Sequence, residues 1–460
     1  MKAKKSNFKI WLIVLFLIVI ILPLVWILLV KLESEKPSLI LSPSLSSLGV
    51  SQEISFSVSD TKSGLRRIWA GLLKDGKEIL LLERDFPALD LIRGGKVRKE
   101  KISIRIKPKE LGINDGTSVL RMVAWDYSWR NWWHGNRTYI EKDIIIDTKS
   151  PDIEILSRVH NLSQGGTGLV IYRVSEPCFE DGVFVGDNFF PGYFGYFKDK
   201  DIRMAFFALN YDQGPGTRIL VKASDMAGNS TTAGFPYYIR KKKFKTDVIN
   251  ISDRFLNWKM TEFDTKNGID SDISPIKKFI IVNRKIRREN FEKFVLIGEK
   301  SDNALHWRGS FLRLPKSKKM AGFADHREYK YKSGIIDRQV HLGVDLASVS
   351  HSPVPAANKG IVLYKGSIGI YGKTIVIDHG FGLFSIYSHL NSLDVQQDQM
   401  VSKGEIIGRT GVTGLAGGDH LHFGIMVHNT FVNPIEWWDE AWIKNNISTK
   451  IEKVKREINE

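Results

Sequence analysis

His341-Leu342-Gly343-Val344-Asp345 and, further along, His420-Leu421-His422 decide how this chain reads. Catalytic four-coordinate zinc takes three protein ligands and keeps one position for water. Two neutral imidazoles and one carboxylate would leave a doubly charged ion strongly electrophilic. On a strand, residues two apart share a face, so His420 and His422 can both approach one site. His341 and Asp345 stand four apart, a spacing open to a helical face or to alternate positions of a strand. Gly343, with Val344, Leu346 and Ala347 beside it, favours extended backbone and a turn.

Outward from these motifs the order of words matters. RQVHLGVDLAS (338–348), YGKTIVIDHGFGLFSIYSHL (371–390), VSKGEIIGRTGVTGLAGGDHLHFGI (401–425) and VNPIEWW (432–438) follow one another. In that order they resemble the lysostaphin-type zinc endopeptidases, which cleave peptide cross-bridges of bacterial cell walls. The resemblance runs from Phe311 to about Trp438. It implies a compact antiparallel sheet with Zn2+ in a groove, held by His341, Asp345 and His422. It also implies two unliganded histidines beside the metal, His389 and His420. No HExxH glutamate is present to take a proton, and imidazole titrates near neutral pH. His389 and His420 are therefore the expected catalytic pair, one as base and one as donor to the oxyanion, in either assignment. His379, at a strand end, reads as structural, and His428 as a surface residue beyond the strand's exit.

The rest of the chain sets the context. Its 460 residues are too many for one ordinary domain, and a hydrophobic content of 43% is that of a folded protein. Ile10–Val30 contains no charged residue, long enough for a membrane helix. It outruns a signal peptide's apolar core and ends without a small-residue cleavage pair, so it reads as an uncleaved anchor. Lys2, Lys4, Lys5 and Lys9 before it place the N-terminus in the cytoplasm and the remainder outside. The expected location is the cell inner membrane, with the catalytic domain periplasmic. The net charge of +16 suits an acidic polymer, and exported topology argues against nucleic acid. Cys178 is the single cysteine, which excludes an intramolecular disulfide and reads as a small buried hydrophobe.

EISFSVSD (53–60), ILLLERDF (79–86), KISIRIKP (101–108) and TSVLRMVAWD (117–126) alternate apolar and polar residues, the pattern of half-buried strands. Asp126 with Gly135-Asn136 is echoed by Asp225 with Gly228-Asn229, as turns that close strands. The fold class expected is mainly β: two modules resembling immunoglobulin-like sandwiches, then a strand-rich peptidase domain. Boundaries fall at 1–36 (anchor), 37–149 and 150–244 (modules), 245–304 (a linking segment with a helix after Ser274-Pro275), 305–440 (peptidase) and 441–460 (a charged, solvated helical tail). The modules read as spacers. Trp125, Trp129, Trp132 and Trp133 read as core cover and domain contact rather than a sugar-stacking platform. The functional expectation is a zinc endopeptidase acting on peptidoglycan, at the bond between D-alanine and a diamino acid. The alternative is a non-catalytic adaptor that activates other wall hydrolases.

Overall fold

The computed structural model describes residues 8–42, 45–90, 92–263 and 273–459, so Lys2, Lys4 and Lys5 lie outside the described residues. The chain is mainly β, opened by an apolar helix, Phe8–Lys31, with Pro23 inside it. None of that helix's apolar window is buried in protein. The chain divides into two compact units, Met1–Ser150 with Ser224–Ser230, and Pro151–Ala223 with Thr231–Glu460.

In the first unit, strands Ser38–Leu41, Gln52–Ser59 and Lys99–Ile106 form one sheet. Ser47–Leu48, Arg137–Ile146, Gly116–Asp126, Leu65–Lys74 and Lys77–Asp85 form the other. Period-two patterning explains their pairing: Ile54, Phe56 and Val58 turn inward while Ser55 and Ser57 turn away. They share a core with Leu120, Met122 and Ala124 of the second sheet. Each of the larger of these side chains contributes about 1.5–3 kcal/mol on burial. The sequence echo has a shared geometry. Asp126 Oδ1 accepts the N–H groups of Ser128 and Asn136, and its Oδ2 accepts Asn136 Nδ2. Asp225 does the same with Ala227 and Asn229. Asn136 Nδ2 also reaches the carbonyls of Glu33 and Glu35, and Asn229 Nδ2 those of Asp147 and Lys149. The tryptophans are not core cover. Trp132 is 91% exposed and Trp133 58%, and Trp125 and Trp129 are only half-buried.

In the second unit an eight-stranded sheet carries the histidine motifs. Its order is Lys318–Ala321, Val344–Ala347, Leu421–Val427, Leu383–Leu390, Gly372–Asp378, Gly360–Ile368, Met400–Val401, with Thr430–Val432 paired to Leu421–Val427. Residues 151–223 are not a free spacer, because they share this unit's core. Phe206, Trp307, Phe311 and Trp437 pack ring against ring, tilted or edge-on, with centroids 5.2–6.3 Å apart. Glu436 accepts the Thr167 N–H at 2.9 Å, and Trp437 Nε1 donates to Thr167 Oγ1. A helical run begins at Pro275, loosens by one wide turn at Val282–Ile286 and ends at Gly298. Its Phe294 packs on Tyr371 at 4.9 Å, and Asn290 Oδ1 accepts the Ile370 N–H.

Three expectations change. The tail is helical but not solvated, since Ile443, Ile447, Ile451 and Val454 recur at helical spacing and are buried. Among its many charges that stripe is easily passed over. Cys178 is half-buried rather than buried. His428 is not a surface residue. Its ring stacks on Tyr193 at 5.7 Å and meets Phe190 edge-on, and burial pushes its pKa down to about 4. A proton must therefore be kept off His428 in the folded chain. Its contribution is fully present above about 6.5, the ordinary value, and is lost as pH falls toward 4. Acidification from pH 7 to 5 should cost on the order of 1–2 kcal/mol through this residue. Thermal melts of His428→Leu, which suits the aromatic cage, should show a smaller acid-side loss than the parent. An equal loss in both would remove His428 from the acid response.

Candidate metal centre

The strand Val344–Ala347 lies beside Leu421–Val427, and the register sets Asp345 opposite His422. On the far side of that strand, Ser388 pairs with His422, which brings the following residue, His389, to the same end of the sheet. His341 enters from the turn before Val344, and His420 from the turn before Leu421. The four-residue spacing of His341 and Asp345 is thus a strand and a turn, not a helix.

All five side chains named from the motifs converge. His341 Nε2, Asp345 Oδ1 and His422 Nδ1 stand 3.0 Å from one another. The third and fourth rings close the group: His389 lies 4.8 Å from His420 and 5.8 Å from His422, centroid to centroid. Backbone carbonyls settle the tautomers, because a carbonyl can only accept. Nδ1 of His341 donates to Gly322 O, Nδ1 of His389 to Thr413 O and Nδ1 of His420 to Gly418 O, each at 2.8 Å. The Nε2 of each therefore carries a lone pair when the ring is neutral.

The donor set fits a metal. His341 Nε2 brings a lone pair within 3.0 Å of the Asp345 carboxylate oxygen, and the two repel unless a cation lies between them. Ligand distances of about 2.0–2.2 Å place one ion within reach of all three. Histidine and carboxylate donors together suit a borderline ion such as zinc.

Charges around the centre are graded. Burial penalises the Asp345 carboxylate, but the facing His341, with His420 and His422 beside it, holds it well below its usual range. Burial lowers His389 well below the ordinary histidine value, and the neighbouring His420 and His422 push the same way. His422 is brought down to about 4, chiefly by burial. His420 goes the other way. Burial opposes its charge, yet the negative charge of Asp345, 3.6 Å from Nε2, outweighs that and raises it.

Several residues here had no signal in the motif spacing. Arg327 donates to Asp345 Oδ2 at 2.7 Å and orients the carboxylate from behind. Tyr371 packs edge-on against His422 at 5.3 Å. A half-open cleft of about 350 Å³ over the histidines is walled by Ile249, Phe255, Phe279 and Arg287 from the preceding segment. His389 itself holds a left-handed backbone, φ +62°, the kind of strain that functional positions retain.

Gly343 is fixed by the centre. A Cβ there would lie 2.5 Å from His422 Nε2 and 2.8 Å from the Phe423 carbonyl. Gly343→Ala should therefore turn the His422 ring and weaken metal binding by roughly 10–100-fold, the range of outer-shell changes. Chelator competition reads this directly, and unchanged affinity would mean the ring has room to move.

Residues 339–434 match the family model of Peptidase family M23. The chain thus carries a Peptidase family M23 domain at its C-terminal end, with a buried His-His-Asp site in it. The DD-carboxypeptidase/endopeptidase Mpg of Neisseria meningitidis is 36% identical over 97 residues, 21% of this chain and 22% of that protein. The peptidoglycan DD-endopeptidase ShyA of Vibrio cholerae is 34% identical over 96 residues, again 21% and 22%. Among solved structures, the catalytic domain of lysostaphin from Staphylococcus simulans is 30% identical, covering 28% of this chain and 98% of its own, with a TM-score of 0.24. The matched part is 22% of the length of these two curated relatives.

Proposed function

We propose that the protein is a membrane-anchored zinc endopeptidase that hydrolyses peptide cross-links of bacterial peptidoglycan, at the bond between D-alanine and a diamino acid. The convergence of His341, Asp345 and His422, with two further histidines turned toward the same point, carries this reading. The printed names of the two bacterial relatives favour the DD bond. The adaptor alternative is disfavoured by the same five side chains, which an adaptor would not need. The helix Phe8–Lys31 would anchor the chain with its N-terminus inside, following the lysines around its start.

His341, Asp345 and His422 would hold the ion, which supplies an acidified water and a polarised carbonyl when bound. His389 is the better base. Its Nδ1–H is committed to Thr413, its Nε2 lone pair is free, and burial keeps it neutral. It takes the proton of the attacking water and returns it to the leaving amine. His420, whose Nδ1 is committed to the Gly418 carbonyl, would donate from a protonated Nε2 to the carbonyl oxygen as negative charge builds there.

Burial of His389 sets one limb of the pH profile. A lowered His389 stays a base below about 6.5, so the acid limb of kcat/KM should fall below the ordinary histidine value. His420→Ala should abolish the alkaline limb of kcat/KM and leave the acid one. Loss of the acid limb instead would exchange the two roles. The substrate is tested by mass spectrometry of fragments released from defined peptidoglycan. New D-alanine carboxyl ends and diamino-acid amines are expected. Cleavage only at glycine bridges would overturn the bond assignment, and no cleavage by metal-loaded protein would favour the adaptor.

A further inference from the structure

A second cluster lies in the first unit, where the chain leaves its apolar helix. Glu33, Asp60 and Asp126 come from segments far apart in sequence, and each is buried. One oxygen from each lies within 4.8 Å of the others. Asp60 follows the strand Gln52–Ser59, and its Oδ1 accepts the N–H groups of Lys62 and Gly64. Asp126 ends the strand Gly116–Asp126 and is held by the Asn136 clasp described above.

Glu33 is the member whose hydrogen bonding is incomplete. Its Oε1 accepts the Ser63 N–H at 2.9 Å, but its Oε2, buried in a residue only 5% exposed, has no partner. Ser63 Oγ is fully buried and faces the same carboxylate. An unpartnered carboxylate oxygen next to two further carboxylates is a costly arrangement, since buried polar atoms are otherwise satisfied. The nearby buried cation is Lys31, whose Nζ donates to the Tyr127 carbonyl at 3.2 Å. Three carboxylates against the Lys31 ammonium and the nearby Arg98 guanidinium leave a net negative charge.

We propose that Glu33, Asp60 and Asp126, with the Ser63 hydroxyl, form a divalent-cation site of calcium type at the exit of the apolar helix. The donors are all oxygen, which selects a hard cation over zinc or copper. Calcium accepts oxygens at 2.3–2.6 Å in irregular geometry, so the ligands of one ion stand up to about 5.2 Å apart, and these three oxygens lie within 4.8 Å of one another. Magnesium demands a tighter octahedron and keeps several waters. The ion would offset the residual negative charge and give Glu33 Oε2 a partner. It would also tie residues 33–35 to the turns at 60–64 and 126–136, to which Asn136 already binds them. The proposal is independent of the catalytic reading, because no residue is shared.

The test uses the full chain in detergent micelles, its peptidase site loaded with zinc, dialysed free of calcium and titrated with calcium chloride. One calcium per chain should bind, with a dissociation constant in or below the range of about 10⁻⁴–10⁻³ M of extracellular modules, and raise the melting temperature. Glu33→Gln and Asp60→Asn should each weaken binding by about tenfold or more, as expected when a charged ligand is lost. Calcium-free Glu33→Gln should melt at or above the parent, because a buried charge is gone, which separates lost binding from lost folding. His341→Ala should keep the calcium response. The proposal is overturned if calcium does not saturate the parent, if both carboxylate variants bind like the parent, or if His341→Ala abolishes the response. Equal affinity for magnesium would overturn the calcium assignment.

Discussion

His341→Ala, Asp345→Ala and His422→Ala should each abolish metal binding, and with it hydrolysis of purified peptidoglycan. The three donor atoms stand 3.0 Å from one another, so removing one leaves two ligands where three are needed to leave a single open position. The three variants should not be equally stable. Asp345 is also the partner of Arg327, whose guanidinium is 18% exposed. Asp345→Ala therefore leaves a largely buried cation unpaired, a change that costs about 3–5 kcal/mol. His341→Ala and His422→Ala relieve crowding among neutral rings and should cost less once metal is absent. Metal-free melts should accordingly rank Asp345→Ala lowest, and adding Arg327→Met should restore much of the loss. Metal retained in any of the three single variants would contradict the ligand set. Equal metal-free melting temperatures would show that Arg327 finds another partner.

His389→Ala and His420→Ala should keep most of the metal and lose turnover by about 10²–10⁴-fold, the usual worth of a general acid or base. Neither contributes to the triangle of donors, and each is held by a backbone carbonyl rather than by the other ligands. His420 is the more delicate case, since its Nε2 lies 3.6 Å from Asp345 Oδ1. Its removal should loosen the carboxylate slightly and weaken metal affinity by less than the ligand variants do. Metal content by elemental analysis, beside turnover on the same samples, separates the roles. Parallel loss of metal and activity in either variant would make that histidine a ligand. His379→Ala tests the assignment from outside. His379 is fully buried, with its ring nitrogens on the Lys359 carbonyl and the Ser385 hydroxyl. The variant should lose stability while the surviving folded protein turns over normally.

Much of this was legible because it is written in short-range patterns. Ile54, Phe56 and Val58 alternate with serines, and that period has one structural solution, a strand with one face inward. Ile10–Val30 is apolar without interruption, which few environments except lipid accommodate. The histidine motifs name their side chains because residues two apart on a strand share a face, and Gly343 marks the turn that carries His341 back to Asp345.

What the sequence determined alone was therefore local: strand and helix periods, the turn chemistry of Asp126 and Asp225, and the identity of the motif residues. What only the tertiary structure decided was which distant segments meet. Arg327 reaches Asp345 from another sheet, and Phe255 and Phe279 wall the cleft from the preceding segment. His428 is buried by Tyr193 and Phe190, and Glu33 meets Asp60 and Asp126. Periods of 2 and 3.6 residues specify which face a side chain occupies, but not what that face will meet. That choice is made by burying apolar surface across segments far apart in the chain, and it leaves no spacing to read.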